Sequence, residues 1–181
     1  MNRRTVIYGM GAEFPSAAAL YHAAEQIRDK GFKRWDVHSP FPIHGMDDAM
    51  GLGRSRVSAA SLFGGITGFS LAVFMIYYTS KIDYPLIVHG KPYFTLEASF
   101  PVFFELTILL TAFATLFGML GLNLLPRWNH PVFNWDRFKR VTDNGFFIVI
   151  EATDPLFSKD ETKALLEKIG GSNISLIEEE I

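Results

Sequence analysis

The chain has 181 residues, enough for one ordinary domain, and 49% of them are hydrophobic. Its 17 Lys and Arg against 19 Asp and Glu give a formal net charge of −2, which argues against a nucleic-acid-binding protein. The absence of cysteine excludes disulfides, thiolate chemistry, c-type haem attachment and Cys-ligated zinc or iron–sulfur sites, because each requires a sulfur.

The first segment has the pattern of a β–α–β unit. Residues 5–10 are apolar and β-branched and predict a strand, with Gly9 and Gly11 bracketing the turn that follows. Residues 15–31 predict a helix, since a Pro–Ser pair begins it and a glycine ends it. A second strand is expected over residues 32–38. The apolar residues of the helix recur at helical spacing: Leu20, Ala24 and Ile27.

A connector of residues 39–53 leads from this unit towards a long apolar run. Its prolines make it rigid, and a rigid, apolar connector beside a bilayer either serves as a docking surface or only fixes the pose of the domain. Arg54 and Arg56 follow it and are expected to anchor the entry of the next helix. The candidate docking residues are Pro40, Pro42, His44 and Met46.

Two runs of the sequence carry no charge. One has 24 residues, between Arg56 and Lys81, and the other has 21, between Glu105 and Arg127. A spanning helix needs about 20 apolar residues. We therefore predict transmembrane helices over 57–80 and 98–125, joined by an external loop over 81–97. Two buried core helices are the alternative, but a soluble domain of this size rarely hides two such runs.

The positive charges near the helix ends predict the orientation of this hairpin. Six basic residues flank its outer ends, whereas the connecting loop carries only Lys81 and Lys91. By the positive-inside rule, both termini are expected in the cytoplasm and the loop outside. The six flanking residues are Arg54, Arg56, Arg127, Arg137, Lys139 and Arg140.

Each predicted helix carries a stripe of small residues, which lets another backbone approach closely. The two stripes either face each other within the hairpin or pack against another subunit. The opposite faces carry Phe, Leu, Ile and Met, suited to lipid or to a larger neighbouring subunit. The predicted packing residues are Ala60, Gly64, Gly68 and Ala72 on the first helix, and Thr107, Thr111, Ala114, Gly118 and Gly121 on the second.

Glu105 is the one charge that could lie inside the bilayer. At 100° per residue it shares a face with Ile108, Leu109, Ala112 and Leu116, opposite the small stripe. Two interpretations remain open. The carboxylate either faces a polar cavity or proton path of a partner, or reaches the outer headgroups.

The C-terminal segment repeats the β–α–β order, with strands over 146–152 and 173–178 and a helix over 158–169. Ser158 and Glu161 have the spacing of a capping box. The expected apolar stripe of the helix is Ala164, Leu165 and Ile169. Because each half alone would be marginal in size, we predict that residues 1–56 and 126–181 form one cytoplasmic α+β domain of ferredoxin-like topology, into which the transmembrane hairpin is inserted.

Two stretches resemble a known family. The chain resembles the D subunit of bacterial alternative complex III in YGMGAEFPSAAALYHAAEQIRDKGFKRWDVHSPFPIHGMDDAMGL, and then in FPVFFELTILLTAFATLFGMLGLNLLP of the second apolar helix. The most specific parts are residues 39–47 and 104–107. The resemblance covers the chain to about residues 130–131, and beyond that only the order of elements is similar.

This resemblance implies a subunit of a quinol-oxidising complex in the bacterial cytoplasmic membrane, which passes electrons to a cytochrome c or a similar acceptor in a respiratory or photosynthetic chain. In that family, haem c and iron–sulfur clusters belong to other subunits, and quinol oxidation is assigned to a large multi-helix subunit. A non-catalytic subunit that binds no cofactor or metal, packs against larger membrane subunits and contacts lipid is the leading hypothesis. The alternatives are a proton-transfer role for Glu105 and a free-standing, membrane-anchored ligand sensor.

Overall fold

The computed structural model describes residues 5–87 and 89–180. The chain divides into two compact units. An α/β unit comprises the described residues up to Gly53 and from Trp128 onward, and a helical unit runs from Arg54 to Arg127. In chain order the elements are β1 (Thr5–Phe14), α1 (Ala17–Lys30), β2 (Trp35–His38), α2 (Met46–Met50), α3 (Val57–Tyr77), α4 (Leu96–Leu122), β3 (Phe146–Glu151), α5 (Lys159–Lys168) and β4 (Ser172–Glu180).

The α/β unit is built on a four-stranded sheet with the order β2-β3-β1-β4. Every pair of neighbouring strands is antiparallel. The two central strands carry the apolar sequences, as their position between two neighbours requires, while the edge strands carry most of the charges. Mixed α/β architecture, as the sequence predicts, is therefore confirmed.

The first strand is four residues longer than predicted, because β1 continues to Phe14. Gly9 and Gly11 lie inside it rather than in a turn. A Cβ at Gly9 would overlap the Ile150 carbonyl oxygen, and a Cβ at Gly11 would overlap the ring of Trp135. Gly9 thus lets the neighbouring strand approach closely, and Gly11 lets the Trp135 ring lie directly on the face of the sheet.

The helix ends of the α/β unit confirm one sequence prediction and contradict another. Ser16 caps α1 by accepting a hydrogen bond from the Ala19 N–H at 3.2 Å, and Gly31 ends the helix at φ 90°. The predicted capping box at Ser158 and Glu161 is wrong, since the Ser158 side chain caps nothing. Instead, the Ser158 N–H donates to the Thr162 hydroxyl at 3.1 Å.

The helices α1 and α5 bury their apolar residues against one face of the sheet. Leu20, Ala24 and Ile27 are fully buried, as predicted for α1. On α5 the buried residues are Thr162 and Leu166, whereas Ala164 is exposed, contrary to the prediction. The apolar stripe of α5 therefore begins with a threonine, which apolar periodicity does not detect. The main cluster on this face is Met10, Ala12, Phe14, Leu20, Ala23, Ile27, Ile148, Ile150 and Leu166.

Two 3₁₀ turns, Pro131–Asn134 and Asp136–Thr142, cover the opposite face of the sheet, and we call them the 3₁₀ segment. Val132, Trp135 and Phe138 pack from this segment onto the sheet. The sheet contributes Phe147, Val149 and Ile177 to the same cluster. The ring centroids of Trp135 and Phe147 are 5.2 Å apart in an edge-to-face arrangement.

The helical unit consists of α3 and α4 packed side by side, with a π-helical turn, Tyr78–Asp83, at the end of α3. Both helices are long and apolar enough to cross a membrane. Their large apolar side chains are mostly exposed, which is the reverse of a soluble core. The second helix starts at Leu96, two residues before the predicted boundary.

Candidate interaction surfaces

The small-residue stripes of α3 and α4 meet each other. A Cβ at Gly64 would overlap Ala114 Cβ, and a Cβ at Gly68 would overlap the Leu106 carbonyl oxygen. At the other end of the pair, a Cβ at Gly118 would lie 2.9 Å from Ala60 Cβ. Gly64 and Gly68, which are four residues apart, therefore let the two backbones touch within the hairpin. Ala72 is fully buried, whereas Gly121 has nothing within 4 Å of its Cβ position and lies outside the contact.

Hydroxyl groups add polar contacts to this interface. Ser61 Oγ and Thr115 Oγ1 lie 2.6 Å apart, and they join α3 to α4. Thr107 and Thr111 each donate to the carbonyl four residues earlier, at 2.6 Å. These hydroxyls are thereby satisfied without water, an arrangement that would also be compatible with the interior of a bilayer.

We expect the double variant Ser61→Cys with Thr115→Cys to form a disulfide on mild oxidation, because their side-chain oxygens are in direct contact. The chain has no cysteine of its own, so the product is unambiguous. The readout is a shift in mobility on non-reducing electrophoresis of the full chain in mild detergent. The matched control is Leu62→Cys with Leu116→Cys, two exposed positions, which should stay reduced. A disulfide in the control at equal yield would contradict this packing.

The connector of residues 39–53 packs against the rest of the α/β unit. Arg28 Nη1 donates to the carbonyls of Asp48 and Ala49, at 2.9 and 3.2 Å, and so joins α1 to α2. Met46 is half-buried against the main core cluster. The docking role of the connector stays a prediction. Of its candidate docking residues, Pro42 and His44 are exposed and Pro40 is half-buried.

Asp154 is a buried carboxylate that the sequence analysis missed. It follows β3, and its Oδ2 accepts hydrogen bonds from the Lys33 and Arg34 N–H groups at 2.6 and 2.7 Å. Its Oδ1 accepts from the Leu156 N–H at 2.8 Å. Burial alone would raise the pKa of this carboxyl, but the backbone donors outweigh it and lower the pKa. Asp154 thus fixes the start of β2 to the loop after β3.

Glu13 is a second buried carboxylate and holds the 3₁₀ segment on the sheet. Its two oxygens accept from Arg140 Nη1 at 2.6 Å and from Arg137 Nη1 at 3.1 Å. Asn173 Nδ2 donates to Glu13 at 2.9 Å, from the start of β4. The sequence offers only a weak signal for it, an acidic residue in an apolar strand.

His38 lies on the same face of the sheet, beside the ring of Phe138 at a centroid distance of 4.9 Å. Its Nε2 is buried, and burial lowers the pKa of the imidazole, with His130 acting in the same direction and Asp36 opposing. The Tyr8 hydroxyl donates to Glu151 at 3.2 Å and lies 3.2 Å from His130 Nε2. Among residues 5–87 and 89–180, no group of three or more His, Cys, Asp or Glu side chains has the arrangement of a metal site.

Glu105 lies on the side of α4 that faces away from α3. We call this the outer face, and its residues are exposed: Phe104, Glu105, Ile108, Leu109, Ala112 and Leu116. The half-buried residues Thr107, Leu110 and Thr111 lie on the side towards α3, and Leu106 lies between the two sides. Glu105 and its apolar neighbours line a shallow groove on this face.

Residues 8–176 match the protein family described as Alternative complex III, ActD subunit. The match runs from β1 into β4, so it extends well beyond the stretches that carry the sequence resemblance. No curated protein matches the chain. The chain belongs to the ActD family of alternative complex III subunits.

Proposed function

We propose that this chain is a non-catalytic membrane subunit that packs against larger multi-helix subunits and stabilises a quinol:cytochrome c (or other acceptor) oxidoreductase. The observation that carries the proposal is the family match over both apolar helices and the α/β unit. The exposed Phe, Leu and Ile side chains of α3 and α4 support it, because they offer contact area to lipid and to neighbouring helices.

In this proposal, haem c and the iron–sulfur clusters belong to other subunits. A cysteine-free chain offers no thiolate for a cluster and no thioether link for haem c. Its five histidines fall outside the two uncharged runs. Electron transfer therefore runs through the partners, and this chain contributes packing surface.

The proposal also includes a topology. The strand order β2-β3-β1-β4, with α1 and α5 on one face, supports a ferredoxin-like α/β unit. The excess of Lys and Arg outside the hairpin supports cytoplasmic termini and a two-pass arrangement in the bacterial cytoplasmic membrane.

Purification through a tag on this chain in mild detergent tests the function. We expect large multi-helix membrane subunits, a multi-haem cytochrome and an iron–sulfur protein to co-elute in fixed ratio, with a haem absorption spectrum. Deletion of the chain should lower the amount of assembled complex while the remainder keeps its turnover per haem. A fully assembled, stable complex without the chain would refute the packing role, and a colourless, single species would favour a free-standing sensor.

A second candidate role is proton transfer by Glu105, favoured by an exposed carboxylate on an otherwise apolar helix face. The variant Glu105→Gln keeps the size of the side chain and removes its proton site. An assembled complex with lower turnover or lower proton release would support this role. Unchanged turnover and proton release in an assembled complex would remove it.

A further inference from the structure

The depth of Glu105 follows from the residues that α3 places beside it. Gly68 lies against Leu106 and Thr107 of α4. Gly68 comes 12 residues after Arg56 and 13 before Lys81, so it is at the centre of the uncharged run, about 18–20 Å from either end at ~1.5 Å per residue. Glu105 immediately precedes Leu106 and therefore lies close to the middle of the apolar hairpin.

The length of α4 on either side also places Glu105 well inside the helix. Glu97 precedes Glu105 by eight residues, about 12 Å of helix, and α4 continues beyond it for 17 residues, about 26 Å, to Leu122. The hydrocarbon core of a bilayer is about 30 Å thick. A carboxylate on this short side chain does not reach the headgroups from there, whereas long Lys and Arg side chains near helix ends do.

No group in the described chain compensates this charge. Glu105 makes no hydrogen bond or ion pair among residues 5–87 and 89–180. The uncharged run of α3 offers no cation at this depth. The outer face of α4 points away from α3, and the side chains that neighbour Glu105 on this face are apolar. An ionised carboxylate without a partner is costly in hydrocarbon, so a cation that keeps Glu105 ionised has to come from another chain.

We propose that Glu105 forms an ion pair with a Lys or Arg on a transmembrane helix of a neighbouring subunit, docked along the outer face of α4. The proposal rests on the proposed function, which supplies the neighbouring subunit. A basic side chain is the chemistry that complements a lone carboxylate in a low-dielectric medium. The groove around Glu105, lined by Phe104, Leu106, Ile108, Leu109 and Ala112, receives the apolar side chains that flank the cation.

The test replaces Glu105 in the full chain and measures how much of the large membrane subunits co-purifies with its tag. We expect Glu105→Leu and Glu105→Gln to reduce this amount at least tenfold, because each leaves the basic partner uncompensated inside the membrane. Glu105→Asp, which keeps the charge, should retain more partner than Glu105→Gln. The control, Leu71→Gln, places the same amide at a similar level on α3 and should keep the partner.

Three further measurements keep the result unambiguous. The Ser61→Cys and Thr115→Cys disulfide, formed in each Glu105 variant, reports that the hairpin itself is intact. A photo-reactive amino acid in place of Leu109 should yield an adduct with a membrane subunit, and mass spectrometry should locate a Lys or Arg near the attachment point. Reversal of both charges, Glu105→Lys with that residue changed to Glu, should restore co-purification.

The outcomes separate this proposal from the one on which it rests. Wild-type yield of the complex with Glu105→Leu would overturn the ion pair and leave the proposed function standing. An intact complex with Glu105→Gln but slower turnover would also overturn it, in favour of proton transfer. Failure of the wild-type chain to co-purify with any membrane subunit would instead overturn the proposed function itself.

Discussion

Gly68→Leu is expected to separate α3 from α4. The new side chain would overlap the Leu106 carbonyl oxygen and lie against Thr107 Cα, both of them backbone atoms that cannot rotate away. Overpacking of this kind costs about 3 kcal/mol, which corresponds to a change of roughly a hundredfold in the helix-pairing constant. In a chain that also carries Ser61→Cys and Thr115→Cys, we expect the disulfide yield to fall to background.

Gly121→Leu is the matched control for this variant. It makes the same chemical change on α4, at a position where nothing lies within 4 Å of the new Cβ. The disulfide should therefore form as in the parent, and replacement of a helical glycine costs nothing in intrinsic propensity. Full disulfide yield in Gly68→Leu would show that the stripe of small residues does not hold the hairpin together.

Asp154→Asn is expected to destabilise the α/β unit by about 2–3 kcal/mol, because an amide cannot accept all three backbone hydrogen bonds that the carboxylate accepts. Urea unfolding of the full chain in detergent, followed by tryptophan fluorescence, measures this loss. All three tryptophans, Trp35, Trp128 and Trp135, lie in the α/β unit, so the signal reports on that unit alone. Asp143→Asn, at an exposed position, should leave the midpoint unchanged.

The same carboxylate predicts a dependence of stability on pH. Its pKa is lowered in the folded chain, so its contribution is fully present above its ordinary pKa of 3.8 and is lost as the pH falls below that value. The urea midpoint of the parent should therefore approach that of Asp154→Asn as the pH falls below about 4. An unchanged difference between the two proteins down to pH 2, about two units lower, would contradict this role.

Much of the architecture could be predicted from sequence patterns with a direct physical cause. Uncharged runs of more than 20 residues have few structural solutions, and both become long apolar helices. The spacing of Gly64 and Gly68 marks a face for close approach, which in this chain meets its own partner helix. Ser16 and Gly31 likewise identify both ends of α1, because their capping chemistry is local.

The features that sequence analysis missed depend on contacts between distant residues. Gly9 and Gly11 resemble turn glycines, yet their role is to admit the Ile150 carbonyl and the Trp135 ring, more than 120 positions away. Asp154 and Glu13 resemble solvent-exposed acids until the backbone and arginine donors that surround them are known. Periodicity reports only the environment of neighbouring residues, so these long-range partners left at most a weak signal in the sequence.

The strand order has a consequence for the synthesis of the chain. β1 pairs with β3 and β4, and β2 pairs with β3, so the two strands made first do not pair with each other. Both of their partners are translated after the hairpin. Until β3 has been made, the N-terminal segment can form none of the native sheet pairings, and both edges of β1 lack their partners. Formation of the native sheet therefore waits for translation of the apolar helices, and a chain truncated before β3 lacks every one of its strand pairs.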